Sequence, residues 1–479
     1  MERVLAHRFS FRRGSRVSCG VGASVAAGLL LTVGCALKKP PDAAAIKGEA
    51  MPKVTTPAQW TAAGAGTGAI TDNWLTTFRD DQLSAAVAEA IANNADLRVG
   101  AARVEQAQLY AKLAGATLYP SVDLLARGGA KMSGDNSGLK GAVLSMTWEI
   151  DLWGRVRYGR AAAVADARST EADFEYARQS MAAVVARSWF LATEAGLQAE
   201  VARATIQGGE ELVRLAQSRA QVGVGNDEDV YVARANVGTY RDTLRQIELS
   251  HEQAIRALEL LLGRYPAAAA AVTAQLPNQP PPVPAGLPSE LLERRPDVVA
   301  AERRVAAAFN RIQEAKAARL PSIALTSGVS AISSDLFVLK DHDNPVWNVG
   351  ARLLAPVFKG GALKTQVEIR TAEQKQSIAA YASVGLRAFG EVENALASEF
   401  AAREREQILT QTLADNQRAL EIVQNQYKVG STDLRFVTQR QLALSATQSA
   451  LVRMQAEQRV QRVNVHLALG GSFETRPQP

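Results

Sequence analysis

The stretch "AVLSMTWEIDLW", residues 142–153, alternates. Ala142, Leu144, Met146, Trp148, Ile150 and Leu152 fall on one side, and Val143, Ser145, Thr147, Glu149, Asp151 and Trp153 on the other. Side chains of a β-strand point alternately to opposite faces, so this pattern predicts a strand with one oily and one mostly polar face. Most of the remaining chain reads as long, Ala-rich, charged helix. The fold is decided by what the oily face rests on: lipid, or a layer of helices.

Working outward, strands are expected at about 121–131, 140–153, 322–333 and 346–358, as two hairpins. In the last, "VWNVGARLLAPVF", Trp347, Val349, Ala351 and Leu353 repeat the oily face. The first and third are weaker, with Arg127 and Lys131 opposite Leu124 and Ala126. Helix is expected from Asp81 to about Leu118, then over 155–220 and 228–262, and again over 362–428 and from "GSTD" to "LALGG". A run of about 66 residues spans about 100 Å, too long for a compact domain, so these helices must pack side by side as staves.

The programme runs twice. Asp96 matches Asp297, Arg103 matches Arg304, and Pro120–Ser121 matches Pro321–Ser322, each 201 residues apart. Val222–Gly223 matches Val429–Gly430, and Leu262–Gly263 matches Leu469–Gly470, each 207 apart. A gapless match at each end marks an internal duplication. The organisation read from this is a signal peptide over 1–34, a tether over 35–71 and a first repeat over 72–277. A Pro-rich connector follows over 278–289, then a second repeat over 290–471 and a tail over 472–479.

The net charge of +6 is inflated by the first sixteen residues, with five Arg against one Glu, so charge points to no nucleic-acid partner. Residues 17–34 are uncharged and follow that basic run, as in a secretory signal; a spanning helix is the alternative. "LTVGC" looks like a bacterial lipobox, which would make Cys35 the acylated first residue of the mature chain. The only other cysteine, Cys19, lies inside the signal, so no internal disulfide is expected. The four His show no metal-ligand spacing, and no phosphate loop or nucleophile motif stands out. Neither a cofactor, a metal nor an enzymatic activity is expected.

Each strand is long enough to cross an apolar slab when tilted. If lipid is the support, all backbone groups must be paired in a closed barrel, and four strands are too few to close one. Several chains must then contribute.

The motifs "WEIDLWGRVR", "LYPS", "GLPSELLERRPDV", "LPSIAL", "APVFKGG" and "NQYKVGSTDL" resemble the outer-membrane factor, or TolC-like, family over about residues 72–471. The lipobox and "LPSELLERRPDV" place the resemblance nearest its OprM/NodT-like lipoprotein branch, which serves tripartite RND efflux systems. It implies a mainly α chain with a membrane β-barrel portion. Three copies would form an α-barrel/β-barrel tunnel, with four strands and long helices from each. Leu144, Met146, Trp148, Ile150, Trp347, Val349 and Leu353 would face lipid.

The resemblance also implies a passive exit duct in the cell outer membrane, reaching into the periplasm. Its partners would be a periplasmic membrane-fusion adaptor and an inner-membrane RND pump. The breaks "RAQVGVGNDEDV" and "QYKVGSTDLRFV" read as helix–helix turns; by resemblance they are periplasmic tips, with Val222, Gly223, Val429 and Gly430 touching the adaptor. Tyr427 and Lys428 match the family's Tyr-basic pair that ties neighbouring helices. The constriction positions of the family hold Arg435 and Gln439 here, which departs from its apolar and acidic pattern. Three converging Arg435 side chains need counter-charges. Asp433 is near in sequence, and Asp229 or Glu228 is available from the other tip. Arg435 pointing out into solvent is the alternative. In "LLERRPDV", Glu290, Arg294 and Asp297 are expected to tie the connector to a helix start. The rival readings are a type I protein-secretion duct and a soluble coiled-coil scaffold or adaptor.

Overall fold

A computed structural model of the chain describes residues 37–62, 68, 70, 72–127, 140–333 and 346–474. Two compact units emerge. One holds the N-terminal residues to Lys39 with Thr117–Tyr158 and Gln313–Lys364; the other holds Pro40–Ala116, Gly159–Ile312 and Thr365–Pro479. Each takes matching pieces from both halves of the sequence.

The sheet-bearing unit is a four-stranded antiparallel sheet in the order β1 (Ser121–Arg127), β2 (Lys140–Ile150), β3 (Ser322–Ser333), β4 (Val346–Leu354). β2 and β4 stop three and four residues short of their expected ends. At the end of β2 the cause is visible: the Asp151 carboxylate accepts from the N–H groups of Val156 and Arg157 at 3.1 and 2.9 Å, capping the next helix instead of continuing the strand. The register sets Leu124 opposite Leu144, Leu144 opposite Val329, and Val329 opposite Trp347. It likewise aligns Val122, Met146, Ser327 and Val349. Directly opposed residues share a face, so the oily residues of all four strands form one surface. The Leu124 and Val122 rows extend that face onto the weak first strand. The two tip connections of these hairpins lie outside the described residues, Lys131 among them.

The helical unit is built twice to the same measure. α2 (Asp81–Asn93) precedes α3 (Ala95–Ala116). α3 has 22 residues, as has α7 (Pro296–Ala317). α4 (Arg155–Gln221) and α8 (Ala362–Lys428) have 67 each, and α5 (Asp227–Leu261) and α9 (Leu434–Ala468) have 35 each. The single helix expected over 81–118 is split at Asn94. Its side-chain oxygen accepts from the N–H groups of Asp96 and Leu97 at 2.9 and 3.2 Å and starts α3 afresh. α7 opens on Pro296, whose fixed φ and missing N–H suit a first helical position. Ala182, Ala183 and Ala186 are fully buried, and a Cβ at Gly209 would come within 3.0 Å of Val237, so small residues set how closely the long helices approach.

Residues 35–71 read as an extended tether, but the described part from Pro40 to Ala62 packs within the helical unit. It holds α1 (Ala43–Ala50), capped by Asp42, and buries Ile46, Met51 and Trp60 in one core cluster with Leu291, Val298, Tyr381 and Val392. The Trp60 indole N–H donates to Ala285 O at 2.9 Å. A second cluster gathers Trp74, Phe78, Leu83, Val185, Trp189, Phe190 and Leu258. The short helix α6 (Leu291–Arg294) lies before α7. In the "ERRPD" motif Arg294 pairs with Asp72 at 2.8 Å rather than with Glu290 or Asp297. Arg295 takes Asp297 and Glu391, at 2.8 and 2.7 Å, because it is the arginine that the turn into α7 buries.

Candidate functional site

The two helix breaks are the same turn made twice. Gly223 N–H donates to Ala220 O and Val224 N–H to Arg219 O; 207 residues on, Gly430 N–H donates to Tyr427 O and Ser431 N–H to Gln426 O. This paired pattern closes a helix through a left-handed residue, and Gly223 and Gly430 have φ of +76° and +81°. No neighbour lies near a Cβ added at Gly223, so the conformation and not the space demands glycine there. Val222 and Val429 are 72% and 80% exposed, oily side chains held at the ends of the turns.

The following helices start differently. Asn226 caps α5 by accepting from the Asp229 N–H at 2.8 Å. Asp433 makes no such cap; its carboxylate pairs with Arg435 at 3.3 Å. Below the turns, Ala233, Leu420, Tyr427, Leu434 and Val437 form a small apolar core.

Tyr427 ties the two turns together. It is buried, and its hydroxyl donates to Asp229 Oδ2 at 3.1 Å. The Arg219 guanidinium lies 4.4 Å over its ring, donates to Tyr427 O, and donates to Val224 O at 3.1 Å. Burial, and then the Asp229 carboxylate, push the Tyr427 hydroxyl up to about 12 against the opposing pull of Arg219. It therefore stays protonated, and a donor, across the physiological range.

The cation beside Tyr427 is Arg219, not Lys428, which is exposed, because a buried ring leaves its face to the residue packed across the turn. Asp229 serves Tyr427 and not Arg435, whose counter-charge is Asp433. Arg435 is 84% exposed, and Gln439 is exposed as well. Arg219 had no signal in the sequence: its match in the second repeat is Gln426, so the duplication gave no hint of its role.

On the sheet, Leu144, Trp148, Trp347, Val349 and Leu353 are exposed, Val349 to 88%, while Met146 and Ile150 are half-buried. Among the described residues no helix is long and apolar enough to cross a membrane, and no cluster of His, Cys, Asp and Glu is arranged to hold a metal. Cys35 lies outside the described residues.

Residues 86–264 and 287–471 match the model of a family described as outer membrane efflux protein. The pyoverdine export outer membrane protein OpmQ of Pseudomonas aeruginosa is 30% identical over 447 residues, covering 89% of this chain and 93% of that protein. The probable outer membrane lipoprotein SilC of Salmonella typhimurium is 28% identical over 418 residues, covering 84% and 88%. Among solved structures, that of CusC, described as forming a transmembrane channel, superposes with a TM-score of 0.77 at 27% identity, covering 88% of this chain and 99% of that one.

Proposed function

The chain belongs to the outer membrane efflux protein family, and on that premise we propose that three copies assemble into one continuous exit duct. It is an outer-membrane channel component of an efflux system. The observation that carries the assembly is the register. It gathers the oily residues of four strands on one exposed face while leaving β1 and β4 as open edges. In lipid such edges must be paired, and four strands are too few to do so alone. Edge-to-edge joining of three sheets gives twelve strands, enough for a closed barrel.

The duct hands solute outward and needs no chemistry of its own. Its partners on this reading are a periplasmic membrane-fusion adaptor and an inner-membrane RND pump. The adaptor docks on the exposed tips at Val222, Gly223, Val429 and Gly430, where glycine lets backbones come close. The relatives' printed names differ in cargo, from cations to pyoverdine, which fits a duct that leaves the choice of solute to the pump. Cys35 carries the lipid anchor.

At rest the tips are held by Tyr427, clamped between Asp229 and Arg219. Opening breaks that bond. The Asp433–Arg435 pair lines the constriction as a compensated charge, and Lys428 and Gln439 sit beside it as polar lining.

The test is single-channel conductance of the lipidated protein in planar bilayers. Wild type is expected nearly closed. Tyr427→Phe removes one hydrogen bond, about 1 kcal/mol, and should raise the open fraction about fivefold. A rise in Arg435→Ala as well places that residue at the constriction. Both variants as closed as wild type would sink the tip gate, and a protein that stays monomeric and never enters the bilayer would sink the duct.

A further inference from the structure

The face of the sheet opposite the oily one carries Ser145, Thr147, Glu149, Thr326, Asn348 and Arg352. In a closed barrel with its oily face on lipid, this is the face that lines the passage. At the end of the sheet where the strands meet helical chain, it borders a cavity of about 710 Å³. The charged groups of the cavity wall are Glu149, Asp151, Arg155, Arg352 and Lys359.

Both acids of that wall are already engaged. Glu149 accepts two bonds from Arg155, at 3.0 and 2.7 Å. Asp151 pairs with Arg157 at 3.0 Å and also accepts from two N–H groups at the start of α4. Arg352 lies on the same row as Glu149, but Ala324 stands between them, so the two are about 10 Å apart across two strand spacings. Arg352 and Lys359 are exposed, and among the described residues no carboxylate pairs with either.

A neighbouring copy brings no acid to Arg352. The two hairpins share one register: Ser121 faces Thr147, and Ser322 faces Leu354 at the duplicated positions. Between them, β2 and β3 set Ser145 opposite Gly328 and Glu149 opposite Ala324. Carried by the duplication to a seam between β4 and the next copy's β1, that register sets Arg352 opposite position 127, an arginine, and Pro356 opposite Asp123. Asp123 of the next copy then lies four residues, about 13 Å, along the strand from Arg352.

We propose that Arg352 and Lys359 form an anion-attracting collar in the wall of the duct, at the helix end of the barrel. The collar draws solutes that bear a carboxylate or phosphate group. This rests on the closed three-copy barrel of the proposed function and adds which solutes that barrel favours. Rings of arginine or lysine select anions in pores, and a wall of one sign raises the local concentration of the opposite sign about tenfold or more. The pump still chooses the cargo; the collar sets how readily an anion leaves.

The experiment is the reversal potential of the full-length protein in planar bilayers under a tenfold KCl gradient, about 0.1 M against about 0.01 M, where charge acts over about 10 Å or more. The probes are chloride and potassium, and the readout is their permeability ratio. Arg352→Gln should lower the chloride preference about threefold, Arg352→Glu about tenfold, and Lys359→Gln about twofold. Arg352→Lys should keep the wild-type ratio. In about 1 M KCl the differences should vanish, because the screening length falls to about 3 Å. A merely structural role for Arg352 would not follow the sign of the substituted charge or respond to salt. Channels that conduct with one ratio in wild type, Arg352→Gln and Arg352→Glu overturn the collar and leave the duct standing. A wild-type protein that never enters the bilayer overturns the duct, and the collar with it.

Discussion

The ends of α5 and α9 are one construction used twice, yet they are pinned by opposite chemistry. At the first, buried Glu259 accepts from the N–H groups of Ala268, Ala269 and Ala270 at 2.8, 2.7 and 2.9 Å. Burial alone would raise its carboxyl; these donors overcome that and hold it below the usual carboxylate range. At the second, the matching residue is His466. It is equally buried, stacked on Trp74 at 5.7 Å, with neither ring nitrogen partnered. The work of pinning passes to arginines. Arg459 donates to Pro277 O at 3.0 and 2.8 Å, and Arg462 donates to Pro280 O at 3.0 Å, to Pro281 O and to Glu399. The positions matching Arg462 and Glu399 in the first repeat are Ile255 and Ala192, both buried and apolar. The segment being pinned explains the difference. An alanine run presents N–H groups and calls for an acid; a proline run has few N–H groups and offers carbonyls, which call for a base.

That contrast can be broken at its strongest point first. Arg462→Ala leaves buried Glu399 only its longer pair with Arg403, at 3.4 Å, and should cost about 3 kcal/mol, read as the denaturant midpoint of the purified protein. Arg462→Ile with Glu399→Ala, which copies the first repeat, should recover most of the loss. A double variant no better than the single would show that the carbonyl bonds, not the ion pair, carry the energy.

Glu259→Gln comes next. It trades an anion for an amide against three N–H donors and should cost about 2 kcal/mol by the same measurement. Glu259→His, the residue of the second repeat, should be no milder.

The smallest effect at neutral pH is His466→Phe, which keeps the stack on Trp74 and should change stability by about 1 kcal/mol or less. Its interest is in acid. Burial, with Arg462 nearby, pushes His466 down to about 3, whereas in the unfolded chain it titrates near 6.5. The folded chain refuses a proton that the unfolded chain accepts. Stability from this residue is therefore complete above about pH 6.5 and falls by about 1.4 kcal/mol per pH unit as pH drops toward 3. Melting curves followed by Trp fluorescence should show that slope in wild type and lose it in the variant. An equal slope in both would assign the acid loss to other groups.

Much of this molecule was readable in one dimension. The break at Val222–Gly223, the resumption near Glu228 and the match at 207 residues needed only helix periodicity, turn residues and self-comparison. The oily alternation of β2 and β4 was legible for the same reason. Ile46, Met51 and Trp60 were not, because they sit in a Pro- and Ala-rich segment at spacings that fit no regular period. Their burial is set by what they meet, around Leu291 and Tyr381. The clamp on Tyr427 joins residues 208 and 198 positions away, so neither Arg219 nor Asp229 could be paired with it from spacing.

The sequence by itself determined the long helices, the oily strands and their duplication, because backbone sterics, side-chain period and helix-ending glycines act over a few residues. The tertiary structure alone decided the partners. It chose which arginine is buried at the start of α7, which acid holds Tyr427, and whether an acid or a base pins each stretch of the segment after α5. Those choices follow from which chain segments meet and which backbone groups they bring unpaired, and a buried polar group takes the partner within reach, however far away it lies in the sequence.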